Sequence, residues 1–281
     1  TVGAESMFSN TTGSSNAAFG YQTMYTNTTG SYNTAFGRNA LYSNVGDHYN
    51  TAIGYGAMYS NTTGGERNTA LGYEALYENE TGDKNVAVGM NAVKSSTSAS
   101  YNTGVGYDAL AATTTGGYNV GVGTFTLATN TSGIKNVAVG YSALLDNTDG
   151  DNNTALGHLA LYNNTTGGNN TSIGFESMYI NTTGGYNIAI GRKALYTNTE
   201  GAYNTAVGQD AISSNSSGSY NTGIGKAALQ SNTASYNCAV GWECLRDNTS
   251  GQYNTAIGGR SALQSNTSAS YNTAVGTDAL L

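Results

Sequence analysis

The chain has 281 residues, no proline, 39 glycines and 22 tyrosines; 10% of its residues are charged and its formal net charge is -7. No stretch approaches the ~20 consecutive apolar residues of a membrane-spanning helix, so no membrane insertion of that kind is expected. The scattered Lys and Arg form no basic patch of the sort that nucleic acid requires.

Low-complexity disorder is also disfavoured, because aromatic and β-branched residues are plentiful and regularly placed. The chain begins at Thr1 with neither an initiator Met nor a signal-peptide pattern, and reads as a processed chain or a segment of a longer one.

From the N-terminus a glycine landmark recurs, at Gly3, Gly20, Gly37, Gly54, Gly72, Gly89 and so on to Gly225, Gly241, Gly258 and Gly276. The spacing is 17 residues, except for 18 from Gly54 to Gly72, 16 from Gly225 to Gly241 and 18 from Gly258 to Gly276. A fixed period of this kind is the signature of a repeat architecture. Each glycine closes a segment such as Asn204-Thr205-Ala206-Val207-Gly208, and numbering every repeat from its Asn gives seventeen columns that align the chain against itself.

Column three is Ala in twelve of sixteen repeats and otherwise Gly104, Gly121, Gly223 or Ser172; column four is always large and apolar, from Phe19 to Val275. Column two is mostly Thr, and at Val86, Val120, Val137 and Ile188 it is exchanged for another β-branched residue. Thr and Val share a shape, so this column selects a β-branched side chain. Columns two and four point one way and column three the other, as in a strand.

After the glycine come a small residue at column eight (Ala40, Ala57, Ala75) and a large apolar one at column nine (Met24, Leu41, Leu195, Ile212). These predict a second short strand. Asn-Thr-Thr-Gly or a relative follows, as at residues 27–30, 61–64 and 181–184, and reads as a polar turn.

The expected fold is therefore all-β: a repeat β-solenoid or β-roll of 17-residue coils. It forms a single domain over residues 1–281, with about sixteen coils incomplete at both ends. Strands ~4.8 Å apart would make a rod on the order of 75 Å long.

A coil this narrow offers two large apolar side chains, at columns four and nine, plus the half-apolar column two. If these fill the interior, an outward stripe of Ala and Gly marks where another backbone comes close. The reverse assignment exposes a larger apolar stripe, which also marks an interface. Either way the chain is expected to pack against copies of itself, and closed cyclic symmetry lets one stripe serve all partners.

The wording Asn-x-Ala-Val/Ile-Gly, with Ala or Ser three residues later, resembles the head repeats of trimeric autotransporter adhesins, which form a left-handed parallel β-roll. The pattern is also similar to repeats in phage tail fibres and bacterial surface fibres. The resemblance covers essentially the whole chain. It implies a homotrimeric fibre, extracellular on a cell surface or virion tail, that spaces or presents cell-surface binding. The alternatives are a self-assembling extracellular filament subunit, or a solenoid that binds glycan or ice through aromatic or Thr columns.

The 22 tyrosines fall in three columns: before the Asn, after the glycine and after column nine. Coil-to-coil stacking is the structural reading. For a glycan or receptor surface, the column after the glycine is the candidate, because it is variable and aromatic-rich: Tyr21, Tyr55, Tyr73, Tyr107, Tyr141, Phe175 and Trp242, with Arg38, His158, Arg192 and Lys226 among its other occupants.

Cys238 and Cys244 share one coil, either as two small residues or as a disulfide. The sequons at Asn27, Asn61, Asn164 and Asn181 read as turn chemistry. No catalytic, cofactor-binding or metal-ligating constellation recurs, so no enzyme and no cofactor is expected.

Overall fold

A computed structural model describes residues 1–280. It is a parallel β-solenoid with 17-residue coils, in two compact units, residues 1–139 and 140–281. The first carries β1 (Ala17–Phe19), β2 (Thr34–Phe36), β3 (Thr51–Ile53), β4 (Thr69–Leu71), β5 (Val86–Val88), β6 (Thr103–Val105), β7 (Val120–Val122) and β8 (Val137–Val139). The second carries β9 (Thr154–Leu156), β10 (Thr171–Ile173), β11 (Ile188–Ile190), β12 (Thr205–Val207), β13 (Thr222–Ile224), β14 (Cys238–Trp242), β15 (Thr255–Arg260) and β16 (Thr273–Val275). Within each unit successive strands pair in parallel and column by column, as in Thr205↔Thr222, Ala206↔Gly223 and Val207↔Ile224.

The glycine that ends each strand cannot be replaced. At Gly208 φ is +132°, and an added Cβ would lie 2.6 Å from the carbonyl oxygen of Gly225 in the next coil. Both the backbone conformation and the approach of the next coil demand the missing side chain.

The strand's two faces are resolved by burial. Column three points inward: Ala35, Ala52, Ala189 and Ala206 are buried, while columns two and four face out. This corrects the packing in which the column-four residues fill the interior and the small residues face outward. Column nine does point inward, and Met24, Leu41, Leu76, Leu161 and Ile212 are fully buried. One large side chain from column nine already occupies the space opposite the strand, so only a small residue fits at column three, Ala in most coils and Ser172 in one.

The predicted second strand is not formed. Columns seven and nine are left-handed, with φ +60° at Asn39, +51° at Leu41 and +49° at Ile212. A left-handed L-residue costs about 1–2 kcal/mol; burying a Leu or Met returns about 1.5–3 kcal/mol. The kinked segment still joins its neighbours: the Leu41 N–H donates to the Ala57 carbonyl at 3.0 Å, and the Asn39 N–H to the Tyr21 carbonyl at 3.0 Å.

Two buried amide columns complete the interior. Column-one Asn204 donates through Nδ2 to the Gly218 carbonyl at 2.8 Å, and its Oδ1 accepts the Asn221 N–H at 3.0 Å. In column twelve, Asn198 Nδ2 donates to Asn181 Oδ1 at 2.7 Å and to its own Gly201 carbonyl at 2.9 Å. The sequon residues Asn27, Asn61, Asn164 and Asn181 belong to this second column and are fully buried. They hold the core together from inside and do not present a turn to solvent.

Candidate functional site

Two surface features stand out: the outward face of the strands, and the column beyond the glycine bend. Column four places Phe19, Phe36, Ile53, Leu71, Val122 and Val139 on the surface of residues 1–139, and Ile190, Ile224, Ile257 and Val275 on that of residues 140–281, each at least 36% exposed. Beside them column two adds Thr, Val86 and Ile188. Neither column holds a charged residue in any repeat, and column four holds no polar one. Apolar side chains so placed, one per coil at strand spacing, form a continuous patch within each unit of the kind that marks an interface.

Past the bend, Tyr21, Tyr55, Tyr73, Tyr107, Tyr141, Phe175 and Trp242 are between 41% and 49% exposed. The structure brings them into column-wise stacks and turns their faces toward one another. Tyr55 stacks on Tyr73 at 5.2 Å and 9°. Tyr141, His158 and Phe175 form a stack with centroids 5.3 and 5.4 Å apart. The Arg38 guanidinium lies over both Tyr21 and Tyr55, at 5.7 and 5.8 Å, and that of Arg260 lies 5.3 Å over Trp242. Tyr107 meets Phe125 edge to face at 5.3 Å. What these residues offer outward is therefore ring edges, hydroxyls and cations.

Arg260 itself was hidden from column counting, because the extra residue Gly259 displaces it by one. Strand pairing restores the alignment, Trp242↔Arg260, across a bulge that lengthens β14 and β15.

The other two tyrosine columns stack as expected. Tyr186, Tyr203, Tyr220, Tyr236, Tyr253 and Tyr271 form one ladder with centroids 4.9–5.1 Å apart. Tyr25, Tyr42, Tyr59 and Tyr77 form another. Stacked pairs stabilise by about 0.5–1.5 kcal/mol beyond their area.

The turn threonines are tied into the coil: the Thr28 hydroxyl donates to the Val45 carbonyl and that of Thr114 to the Thr131 carbonyl, at 3.0 and 3.1 Å. The cysteines are free thiols, not a disulfide; Cys238 is half-buried in the outward column two and Cys244 is buried in column eight. They leave the backbone toward opposite sides.

Among the described residues no group of three or more His, Cys, Asp or Glu could hold a metal ion, and no helix is long and apolar enough to cross a membrane. No protein-family model and no curated protein matches this chain.

Proposed function

We propose that this chain is a structural fibre segment, extracellular and homo-oligomeric, whose copies associate through the outward face of columns two and four. The observation that carries this reading is the uncharged apolar face that recurs in every coil. An occupant that covers it must supply apolar surface at the same strand spacing, and a second copy of the same face does so with no further adaptation. The resemblance to trimeric adhesin head repeats and tail-fibre repeats supports three copies. The assembled chains serve as a spacer that holds a cell-surface binding function away from its base.

Light scattering on the purified chain tests this. The expected mass is three times 28.8 kDa and independent of concentration. Replacing Ile190 and Ile224 by Lys puts charges into the buried face and should yield monomers that keep their β-sheet circular dichroism. A wild-type monomer at all concentrations would sink the proposal.

A further inference from the structure

The column beyond the glycine carries a charge pattern at odds with the rest of the molecule. The chain has 17 acidic residues against 10 Lys and Arg, yet this column contains no Asp or Glu in any repeat. In residues 140–281 it runs from the Tyr141–His158–Phe175 stack into Arg192, Gln209, Lys226, Trp242 and Arg260. Arg192, Lys226, Trp242 and Arg260 are all exposed.

The ion pairing of this unit separates two kinds of cation. Lys193 pairs with Glu176 at 3.4 Å, and Arg246 pairs with Glu243 and Asp247 at 3.1 and 2.8 Å. Arg192, Lys226 and Arg260 form no ion pair among the described residues. The neighbouring carboxylates are engaged elsewhere: Glu243 by Arg246 and Gln264, and Asp210 by Gln209. Asp278 follows Arg260 in the next column seven and is the remaining acid on this edge.

The three unpaired cations stand two coils apart, about 9–10 Å at parallel strand spacing. Trp242 sits between the last two, its ring covered on one face by Arg260.

We propose that this edge, from Arg192 to Arg260, binds a linear acidic polysaccharide laid along the column. A chain with one carboxylate or sulfate per disaccharide spaces its anions on the same scale as alternate coils. The intervening Gln209 amide and Trp242 edge meet the uncharged sugar between them. A nucleic acid strand fits less well. Its charge falls on every nucleotide, and three cations on a protein of net charge -7 would leave most phosphates facing repulsion. This site does not depend on self-association through columns two and four.

The test uses the full chain in biolayer interferometry against immobilised hyaluronan, which carries carboxylates only, chondroitin sulfate, which carries both groups, neutral dextran and oligo-deoxythymidine. At least one acidic polysaccharide should bind, dextran should not, and raising NaCl from about 50 to about 200 mM should weaken binding about tenfold or more.

The triple variant R192Q/K226Q/R260Q should lose about tenfold or more in affinity, while K84Q/K94Q, which removes two cations from residues 1–139 and leaves the carboxylates of this edge engaged, should bind like the wild type. Equal binding of hyaluronan and chondroitin sulfate would assign the contact to carboxylates, and binding of chondroitin sulfate alone to sulfates. The proposal is overturned if neither polysaccharide binds, if the triple variant binds unchanged, or if oligo-deoxythymidine binds more tightly than both. Circular dichroism and light scattering on the same samples distinguish loss of this site from loss of fold or assembly.

Discussion

Val93 and Gly104 are matched across neighbouring coils: the Val93 Cγ2 methyl lies 2.7 Å from the point where a Cβ on Gly104 would stand. The same relationship joins Ile212 and Gly223, at 2.6 Å to Ile212 Cγ1. Val93 and Ile212 are the only β-branched residues in column nine, and each is followed in the next coil by Gly at column three. Branching at Cβ places a γ-carbon in the space that the Ala methyl occupies elsewhere. Gly104→Ala should therefore overpack the coil and destabilise it by about 1–3 kcal/mol. Val93→Leu with Gly104→Ala, which recreates the Leu76–Ala87 combination, should recover most of that loss. Urea unfolding of the four proteins in a double-mutant cycle checks it; an additive result would refute the pairing.

The Asn columns give a second expectation. Asn204→Ala deletes the acceptor of the Asn221 N–H and the donor to the Gly218 carbonyl, both inside the coil. The Gly218 carbonyl keeps the Asn215 Nδ2 donor at 2.8 Å, so the Asn221 N–H is the group left unpaired, at a cost of about 1–3 kcal/mol. Asn204→Asp keeps that acceptor but should not rescue, because it buries a charge and sets a carboxylate oxygen against the Gly218 carbonyl. Hydrogen exchange should show the Asn221 amide losing protection first.

Asp47 offers a pH-dependent measurement. Its carboxylate accepts the Gly64 N–H at 2.7 Å and the Asn61 amide at 3.0 Å, in the coil whose spacing is lengthened by one residue. Burial raises its pKa above the ordinary carboxylate value, outweighing the lowering by the hydrogen bonds from Gly64 and Gly65. The folded state thus holds the proton more tightly than the unfolded chain. The favourable contribution is complete below the unfolded pKa of about 3.9 and is lost as pH rises through the folded value. Asp47→Asn keeps an acceptor for Gly64 and should flatten this part of the profile. Urea midpoints of both proteins across the acid range will show the wild type falling relative to the variant as pH rises.

The two thiols should differ in reactivity. Cys244 is buried, while Cys238 lies half-buried on the outward face, where burial raises its thiol pKa. The folded monomer expected from Ile190→Lys with Ile224→Lys should gain one maleimide adduct, at Cys238 and slowly at neutral pH, since the thiolate is the nucleophile; assembled wild type should react more slowly still, because association covers column two. The second adduct should appear only after denaturation. Mass spectrometry without reductant reads both numbers, and a folded monomeric variant with no reactive thiol would contradict the placement.

Much of this fold is legible in the columns. The period, the strand, the obligatory glycine and the tyrosine stacks follow from residue type and spacing. The direction of the strand's faces does not. Alternation separates columns two and four from column three but leaves open which side is the interior, since Ala and Val are both apolar. Burial of column three decides it, and the match of Gly104 with Val93 and of Gly223 with Ile212 becomes interpretable only once column three is known to touch column nine.

Leu41 and Ile212 in left-handed backbone could not be anticipated, because neither residue type favours it. The column-twelve Asn looked like a turn former for a related reason: its usual role in turns masked a ladder that uses the same side chain inside the core. At the candidate site the aromatic column was readable, whereas the mutual covering of its faces and the place of Arg260 needed the paired strands.

The uniform register has a consequence for how such a chain acquires its structure. Every strand finds its partners 16 to 18 residues away in sequence, so each coil closes a loop of nearly constant length and pays nearly the same entropy. No pairing within a unit must wait for a distant segment, which favours a single slow nucleation followed by rapid coil-by-coil zippering. Adding or deleting a whole coil leaves that process unchanged, so length can vary by duplication without any new packing solution.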